Sequence, residues 1–429
     1  MLGIDFGTSN SAAAYVRADG VLCPIELEAD RTTMPTALYF CAERAQVHYG
    51  SAALQAYLTA TQDQASGGRL MRAIKSLLGS RLMEERTAVN GHLISFFDIV
   101  VLFFRVLKAR SELQLGHPVT QTMLGRPVHF VDDDPQRDAL AQATLERAAH
   151  AAGFESVRCQ LEPIAAAFDF ERRITRETTT LVVDIGGGTS DFTVIQLGPT
   201  RRDNPERTHD VLATSGVHLG GTDFDRLLSL EFVMPLIGLG HIGPSRRQVP
   251  SGIFHDLSTW HLIHHAYTRQ RLHHATELWT AYTDPALHRR LMQVLRERLG
   301  HQLLAQVEDA KIACANSSGP VEIDLACIED TLQAALTPQA LSRTLQVQVD
   351  KIVACARQCV ARSGDRHIDA VYLTGGSSAL APLVQALEQA FAGATMVHGD
   401  RFGGVGQFLL RRLQCRVGLG LGFGQNLHG

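Results

Sequence analysis

Apolar and polar residues alternate most clearly around two short loops, residues 5–11 and 184–191. An apolar run precedes each loop (residues 2–4 and 181–183), and another follows it. This pattern predicts a strand, a tight turn and a second strand at both places. One such hairpin has an ordinary turn as its simplest explanation. Two hairpins so alike and so far apart favour a chain built from two duplicated lobes.

The loop residues are of types that bind phosphate. Their glycines let backbone N–H groups approach an anion, hydroxyl side chains add donors, and a leading aspartate suits a hydrated divalent cation. The first loop carries Asp5, Gly7, Thr8 and Ser9, and the second carries Asp184, Gly186, Gly187, Gly188, Thr189 and Asp191. The pair therefore predicts two lobes that grip the phosphate tail of one nucleotide from opposite sides.

The remaining pattern is of the α/β type. In the first half it predicts strands at 21–27 and 35–40, helices near 51–60, 68–78 and 97–113, and a strand ending around His129. Two proline-led helices follow, one opened by Asp134 and Pro135 and one by Glu162 and Pro163. In the second half it predicts a surface loop at 200–210, a helix from residues 220–223, a histidine-rich helical region at 240–300, and a strand at 371–373 followed by a turn and a helix.

Length and composition narrow the class of protein. At 429 residues the chain is too long for one hydrophobic core, and its 45% hydrophobic and 20% charged residues are typical of a globular protein. The net charge of -4 gives no general electrostatic reason to expect nucleic acid or an anionic membrane as partner. Eight scattered cysteines without a Cys-x-x-Cys motif, and no apolar leader before Leu2, predict a cytoplasmic protein.

Two other motifs have simpler explanations. Residues 238–243 (GLGHIG) match the dinucleotide fingerprint, but a helical segment precedes them and Pro244 follows where a helix should open. A metal site would need a fixed geometry and usually a carboxylate or cysteine partner, so solvated or half-buried side chains are expected for the histidines between 261 and 274. No Walker sequence occurs.

An ordered series of motifs resembles the ATPase domain of DnaK-type heat-shock chaperones, within the actin and hexokinase-like superfamily. Besides the two loops, the series comprises residues 31–35 (RTTMP), 75–79 (KSLLG), 162–167 (EPIAAA), 218–225 (HLGGTDFD), 308–311 (EDAK) and 375–377 (GGS). Each motif alone is weak, but their order and spacing are specific. The chain stops after the nucleotide unit, and this truncated form resembles the YegD-like group.

The resemblance implies an α/β, two-lobed actin-like ATPase fold, with duplicated ribonuclease-H-like core sheets and a nucleotide cleft between the lobes. Lobe I would span residues 1–172, with an outer subdomain at about 35–100. Lobe II would span 173–396, with an outer helical subdomain at about 224–310. Residues 397–429 would form a C-terminal return segment. The interdomain linker and the peptide-binding domain of the family would be absent.

The resemblance also implies roles for single residues. Lys75 and Thr189 would act at the γ-phosphate or the attacking water, and Glu162 would orient water around a magnesium ion. Asp5, Asp184 and Asp191 would hold Mg²⁺ mostly through its water ligands, and Asp184 would also be catalytic. ATP or ADP would be held by Gly7, Thr8, Ser9, Gly186, Gly187, Gly188, Gly220, Gly221, Glu308, Lys311, Gly375, Gly376, Ser377 and Asp400.

Two residues depart from the family pattern at positions that bear on function. The arginines that the family stacks around adenine are replaced by Ile312 and Ala379. The expected function is an Mg-dependent, slowly ATP-hydrolysing, chaperone-like switch, with protein clients or co-chaperones met in trans. Two alternatives stay open: a small-molecule kinase of the same superfamily, and a nucleotide-sensing adaptor or filament-forming protein without significant turnover.

Overall fold

The computed structural model describes residues 1–17, 22–29, 31–41, 46–62, 68–89, 92–131, 134–162, 167, 170–202, 207–315 and 317–399. Asp400, most of the predicted return segment and residues 163–166 of the Glu-Pro helix lie outside these ranges. Within the described part of the chain, no helix is both long enough and apolar enough to cross a bilayer.

The N-terminal half, residues 1–162, contains three helices and eleven strands in its described part. The strands are β1 (Leu2–Phe6), β2 (Asn10–Val16), β3 (Leu22–Pro24), β4 (Thr33–Pro35), β5 (Ala37–Phe40), β6 (Val47–Tyr49), β7 (Arg69–Arg72), β8 (Arg86–Val89), β9 (His92–Ser95), β10 (Gln121–Arg126) and β11 (Ser156–Leu161). The helices are α1 (Ser51–Gln62), α2 (Phe96–Leu115) and α3 (Pro135–Ala151).

The C-terminal half, from residue 170, contains the other elements. Its strands are β12 (Thr178–Ile185), β13 (Ser190–Leu197), β14 (Val211–Val217), β15 (Val321–Asp324), β16 (Gln333–Leu336), β17 (Ala370–Thr374) and β18 (Thr395–His398). Its helices are α4 (Gly221–Leu228), α5 (Gly252–Leu257), α6 (Ile263–Ala266), α7 (Arg269–Glu277), α8 (Pro285–Arg296), α9 (Gly300–Ala315), α10 (Pro338–Arg362) and α11 (Ala381–Ala390).

Each half is built on one large sheet, and the two sheets share a pattern of connections. The first has the order β11-β10-β1-β2-β3, with β4 also pairing with β2, and the second has the order β14-β13-β12-β17-β18. In both sheets an antiparallel hairpin, β1–β2 or β12–β13, joins two parallel strands on the side of its first strand. Both predicted loops therefore lie in a strand–turn–strand at the middle of a sheet.

The two largest hydrophobic cores among the described residues pack against these sheets. In the first, Phe6 of β1 packs against Phe103 and Phe104 of α2, with ring centroids 5.8 and 5.1 Å apart. The second extends from β12 and β13 through α10 into the helices of residues 221–315. Leu2 and Ile4 are wholly buried, as are Leu181 and Val183. Each strand that leads into a loop is thus a rigid, buried support.

Three predicted elements differ in the structure. Residues 68–78 are not a helix, because β7 pairs with β5 and left-handed Ala73 (φ 54°) separates it from a 3₁₀ turn at Ile74–Leu77. The strand expected to end near His129 ends at Arg126, since Pro127 has no N–H for the sheet. The surface loop predicted at 200–210 is not exposed at its C-terminal end. Asp210 is buried there and forms ion pairs with Arg201 and Arg207.

Candidate functional site

The first loop is held by a hydroxyl residue from the segment that follows β4. Thr36 donates from Oγ1 to the carbonyl of Gly7 (2.8 Å), and its N–H donates to the carbonyl of Ser9 (2.8 Å). A third bond, of 2.8 Å, joins Thr36 Oγ1 to Ser11 Oγ, and both residues are buried. The sequence interpretation missed Thr36, which lies one residue after the RTTMP motif.

The second loop is fixed by the turn that opens α4. Gly221 donates its N–H to the carbonyl of Gly186 (3.0 Å), and Thr222 donates from both N–H and Oγ1 to the carbonyl of Gly187 (2.8 Å each). Within the loop, the N–H of Gly186 bonds the carbonyl of Thr189 (2.9 Å). Gly220 lies against the same loop, since a Cβ on it would stand 2.7 Å from the Gly188 nitrogen. The two predicted glycine motifs therefore form one unit.

The two loops face each other closely. A Cβ on Gly187 would collide with Ser9 Oγ, and a Cβ on Gly188 would stand 3.2 Å from Thr8 Oγ1. A side chain at either glycine would therefore press on a hydroxyl side chain of the opposite loop. The structure thus brings the predicted residues Thr8, Ser9, Gly187 and Gly188 from both halves into one place.

Acidic residues and one lysine gather beside the loops, in a group we call the charged centre: Asp5, Lys75, Glu162, Asp184 and Asp191. Buried Lys75 donates from Nζ to Glu162 Oε1 (3.0 Å). Asp191 lies opposite Asp184 in the β12–β13 pair, and its Oδ1 accepts from the N–H of Val128 (2.7 Å). Val128 contributes only its backbone N–H, a group that every residue except proline has, so the sequence alone could not single it out.

Burial and crowding raise the pKa of the aspartates. For Asp5 burial is the largest cause, the Glu162 charge adds to it, and Lys75 opposes them, giving a pKa of about 7. The pKa of Asp191 is also raised to about 7, by burial and then Glu162, against hydrogen bonds from Thr189 and Val128. Burial and the other three carboxylates raise the pKa of Asp184 well above its ordinary value.

Lys75 is the counter-charge of this group. Burial acts to lower the pKa of its ammonium, but the charges of Glu162 and Asp5 and the hydrogen bond to Glu162 outweigh burial and raise it. Lys75 is therefore a cation, and four carboxylates surround it. Ionising all four would leave excess negative charge in a buried place.

This donor set suits a hydrated divalent cation. Carboxylate and carbonyl oxygens are the ligands that Mg²⁺ prefers, and Mg²⁺ keeps several of its waters. A cation would also favour the ionised aspartates that burial disfavours. Among the residues described, no three His, Cys, Asp or Glu side chains form a group that could hold a metal ion directly.

A third group of predicted residues lines the other side of the second loop. Lys311 of α9 pairs with Asp225 of α4 (2.6 Å) and lies 3.3 Å from the Gly221 carbonyl. Ser377 follows β17 and donates its N–H to the carbonyl of Ile185 (3.0 Å). A Cβ on Gly221 would collide with Ser377 Oγ. Gly221, Lys311 and Ser377 are thus brought together.

The remaining predicted residues differ in how close they lie to the charged centre and in how exposed they are. Gly375 has φ 87°, and a Cβ on it would lie 2.5 Å from Asp184 Oδ1, so this turn closes against the charged centre. Gly376 is exposed, and Glu308 lies one helical turn before Lys311 on α9. Ile312 is 49% exposed.

Asp225 is a residue whose importance the sequence interpretation did not recognise. Burial raises its pKa to about 6, Lys311 opposes this shift, and Glu308 adds to it. The signal was its place in the motif HLGGTDFD, three residues after Thr222. Buried Asp225 fixes the ammonium of Lys311.

Comparison with known proteins gives two kinds of match. A family model described as Hsp70 protein matches residues 1–236. Chaperone protein dnaK1 of Synechocystis sp. (strain ATCC 27184 / PCC 6803 / Kazusa) is 33% identical over 247 residues, which cover 52% of this chain and 32% of that protein. Chaperone protein DnaK of Endomicrobium trichonymphae is 33% identical over 235 residues, covering 53% and 34%. The matched part spans only 32% and 34% of the length of these relatives.

Proposed function

This chain belongs to the Hsp70 family, and from that premise we propose that it is a nucleotide-binding ATPase domain that binds Mg-ATP and hydrolyses it slowly. The family implies the actin-like ATPase fold, and the mixed α/β structure with several sheets agrees with it. The two sheets of equal connectivity are the duplicated ribonuclease-H-like cores of two lobes. Lobe I comprises residues 1–172 and lobe II residues 173–396, with the cleft between them.

The facing loops hold the phosphate tail in this proposal. Backbone N–H groups of Gly7, Thr8, Gly187 and Gly188 cradle the β- and γ-phosphates, and hydroxyls add donors. Thr36 and Thr222 keep the loops in shape by binding their carbonyls, which leaves the N–H groups for the ligand. Glu308, Lys311 and Ser377 contact the nucleoside side of the same cleft.

The charged centre performs the chemistry. Asp5, Asp184 and Asp191 would hold a Mg²⁺ ion mostly through its water ligands, and that ion would supply charge neutralisation at the phosphates. Lys75 stabilises the negative charge that shifts at the γ-phosphate when water attacks, and Glu162 fixes the direction of its ammonium. The bond between the γ-phosphorus and the bridging oxygen breaks as the bond to the water oxygen forms, which yields ADP and inorganic phosphate.

One observation carries this proposal: a buried lysine among four carboxylates, beside two glycine loops from different halves of the chain. Phosphoryl transfer needs positioning and charge neutralisation more than covalent help, and this arrangement offers both. Closing of the lobes on nucleotide would make the domain a conformational switch. Protein clients or co-chaperones would bind in trans.

Phosphate release by the purified chain with Mg-ATP tests the proposal. Slow release without any added acceptor is expected. A rate that rises only with an added small-molecule acceptor, which gains the phosphate, would replace the hydrolase with a kinase of the same superfamily. Nucleotide binding without release would favour an adaptor, and filaments in electron micrographs with ATP present would favour a polymerising protein.

A further inference from the structure

A contact between the two halves lies apart from the charged centre. The guanidinium of Arg72, the last residue of β7, lies 3.9 Å from the centroid of the Trp260 ring. Trp260, just before α6, is only 6% exposed. A cation on the face of a tryptophan is attracted by the ring's electrons, most strongly when water is excluded.

A second contact extends this one. Tyr57 of α1 meets His301 of α9 edge to face, with ring centroids 5.1 Å apart and 3.1 Å between Tyr57 Oη and His301 Nδ1. His301 also lies beside Trp260, at 5.9 Å between ring centroids. We call Tyr57, Arg72, Trp260 and His301 the aromatic clasp. Two members come from each half of the chain.

The clasp borders the nucleoside side of the candidate site. Burial lowers the pKa of the Arg72 guanidinium, and the charges of Glu308 and Asp225 oppose this shift. Asp225 is the partner of Lys311, and Glu308 and Lys311 share helix α9 with His301. The positive charge of Arg72 thus acts on the wall that holds the predicted nucleoside contacts.

The clasp is also joined to Lys75 through a very short segment. Lys75 is three residues after Arg72, and left-handed Ala73 (φ 54°) is followed directly by the 3₁₀ turn that contains Lys75. Because only two residues separate Arg72 from Lys75, we expect a shift of Arg72 to move Lys75 as well.

We propose that Arg72 is a positioning residue, which ties the segment carrying Lys75 to the wall carrying Asp225, Glu308 and Lys311 by resting on Trp260. The inference rests on the proposed function and adds a role to it. While the clasp is closed, nucleotide is retained and Lys75 stays aligned. When it opens, nucleotide leaves faster and hydrolysis per bound nucleotide slows.

Release of a fluorescent ADP analogue and single-turnover hydrolysis, measured together, test this role. Arg72→Ala is expected to speed release about tenfold, a change that corresponds to about 1.4 kcal/mol of lost contact, and to slow hydrolysis per bound nucleotide. Trp260→Leu should do the same, and the double variant should add little to either. Arg72→Lys, which keeps the cation, should restore part of the retention.

The chain offers matched controls. Arg86→Ala changes an exposed arginine of β8, in the same half of the chain as Arg72. Trp279→Leu changes the second of the two tryptophans, which is 65% exposed. Both should release nucleotide at the wild-type rate. In a Trp279→Phe background Trp260 is the sole indole, and Mg-ADP should change its fluorescence less in Arg72→Ala.

The outcomes separate the two proposals. If the wild type binds nucleotide and Arg72→Ala and Trp260→Leu release it at the wild-type rate, the clasp has no such role and the proposed function stands. Effects that simply add in the double variant also overturn the inference. If Arg72→Ala does not fold, Arg72→Lys and Trp260→Phe decide the same question. A wild type that binds no nucleotide removes the proposed function, and this inference with it.

Discussion

The charged centre and the aromatic clasp both join the two halves of the chain, and they do so by opposite means. In the charged centre, burial and the charge of Glu162 raise the pKa of Asp5 and Asp191 to about 7. Additional positive charge nearby would therefore favour the ionised form of both aspartates. In the aromatic clasp the polar groups already have partners. The Arg72 guanidinium lies over the Trp260 ring, and the His301 imidazole is hydrogen-bonded to the Tyr57 hydroxyl. In our proposal the charged centre binds Mg-nucleotide, whereas the aromatic clasp determines how tightly the two halves close.

The largest effect is expected from Lys75→Ala. Losing one preorganised charge at a reacting phosphate typically slows a reaction about a hundredfold or more, about 2.7 kcal/mol in the barrier. Nucleotide affinity should change little, since the lysine charge matters most as charge shifts at the γ-phosphate. Single-turnover hydrolysis beside equilibrium binding checks this.

A lysine far from the site provides the control. Lys351→Ala, on the exposed side of α10, should hydrolyse ATP at the wild-type rate. If Lys75→Ala keeps wild-type turnover as well, Lys75 has no part in the mechanism and the adaptor alternative gains.

A smaller effect is expected from Asp5→Asn. The amide keeps the shape but removes one carboxylate charge, so the Mg²⁺ concentration for half-maximal ATP binding should rise about tenfold, or roughly 1.4 kcal/mol. Magnesium titrations at fixed nucleotide measure it. Asp350→Asn, an exposed change on α10, should leave the titration unmoved. An unchanged midpoint in Asp5→Asn would show that Asp5 does not hold the ion.

The clasp should instead be visible as a pH dependence of stability. Burial, followed by the charges of Arg72 and His264, lowers the pKa of His301 to about 3. In the unfolded chain histidine takes up a proton below about pH 6.5. The free energy of unfolding should therefore fall as pH drops from 6.5 toward 3, by up to about 1.4 kcal/mol per pH unit from this residue.

His301→Asn should flatten that slope, measured by chemical denaturation between pH 4 and 7. His273→Asn changes a histidine that is 77% exposed and should keep the wild-type slope. Equal slopes in the two variants would mean that His301 is not held neutral by the clasp.

The smallest effect concerns the base. An arginine on an aromatic base contributes about 0.5–2 kcal/mol. Half-exposed Ile312 has no charge to contribute, so looser base selectivity than in relatives with arginine is expected. Ile312→Arg should raise the preference for ATP over GTP by a few-fold in calorimetry. Tight, exclusive ATP binding by the wild type would show that other residues read the base.

Local patterns predicted part of this molecule and missed the rest for physical reasons. The two hairpins follow from apolar strands flanking glycine loops, and the α3 cap at Asp134 from its proline. The segment at 68–78 was misread as a helix, because pairing of β7 with β5 overrides its helical composition. Val128 contributes only a backbone group, and Arg72 and Trp260 are 188 residues apart. Such contacts depend on the tertiary fold.

Thermal unfolding with and without nucleotide and Mg²⁺ tests the central claim most directly. If the charged centre and the facing loops form one Mg-nucleotide site, Mg-ATP or Mg-ADP at about a hundred times its Kd should stabilise the native state by about 2.7 kcal/mol. Removing Mg²⁺ with a chelator should take away most of that gain. A melting temperature that millimolar nucleotide with Mg²⁺ leaves unmoved would contradict the account.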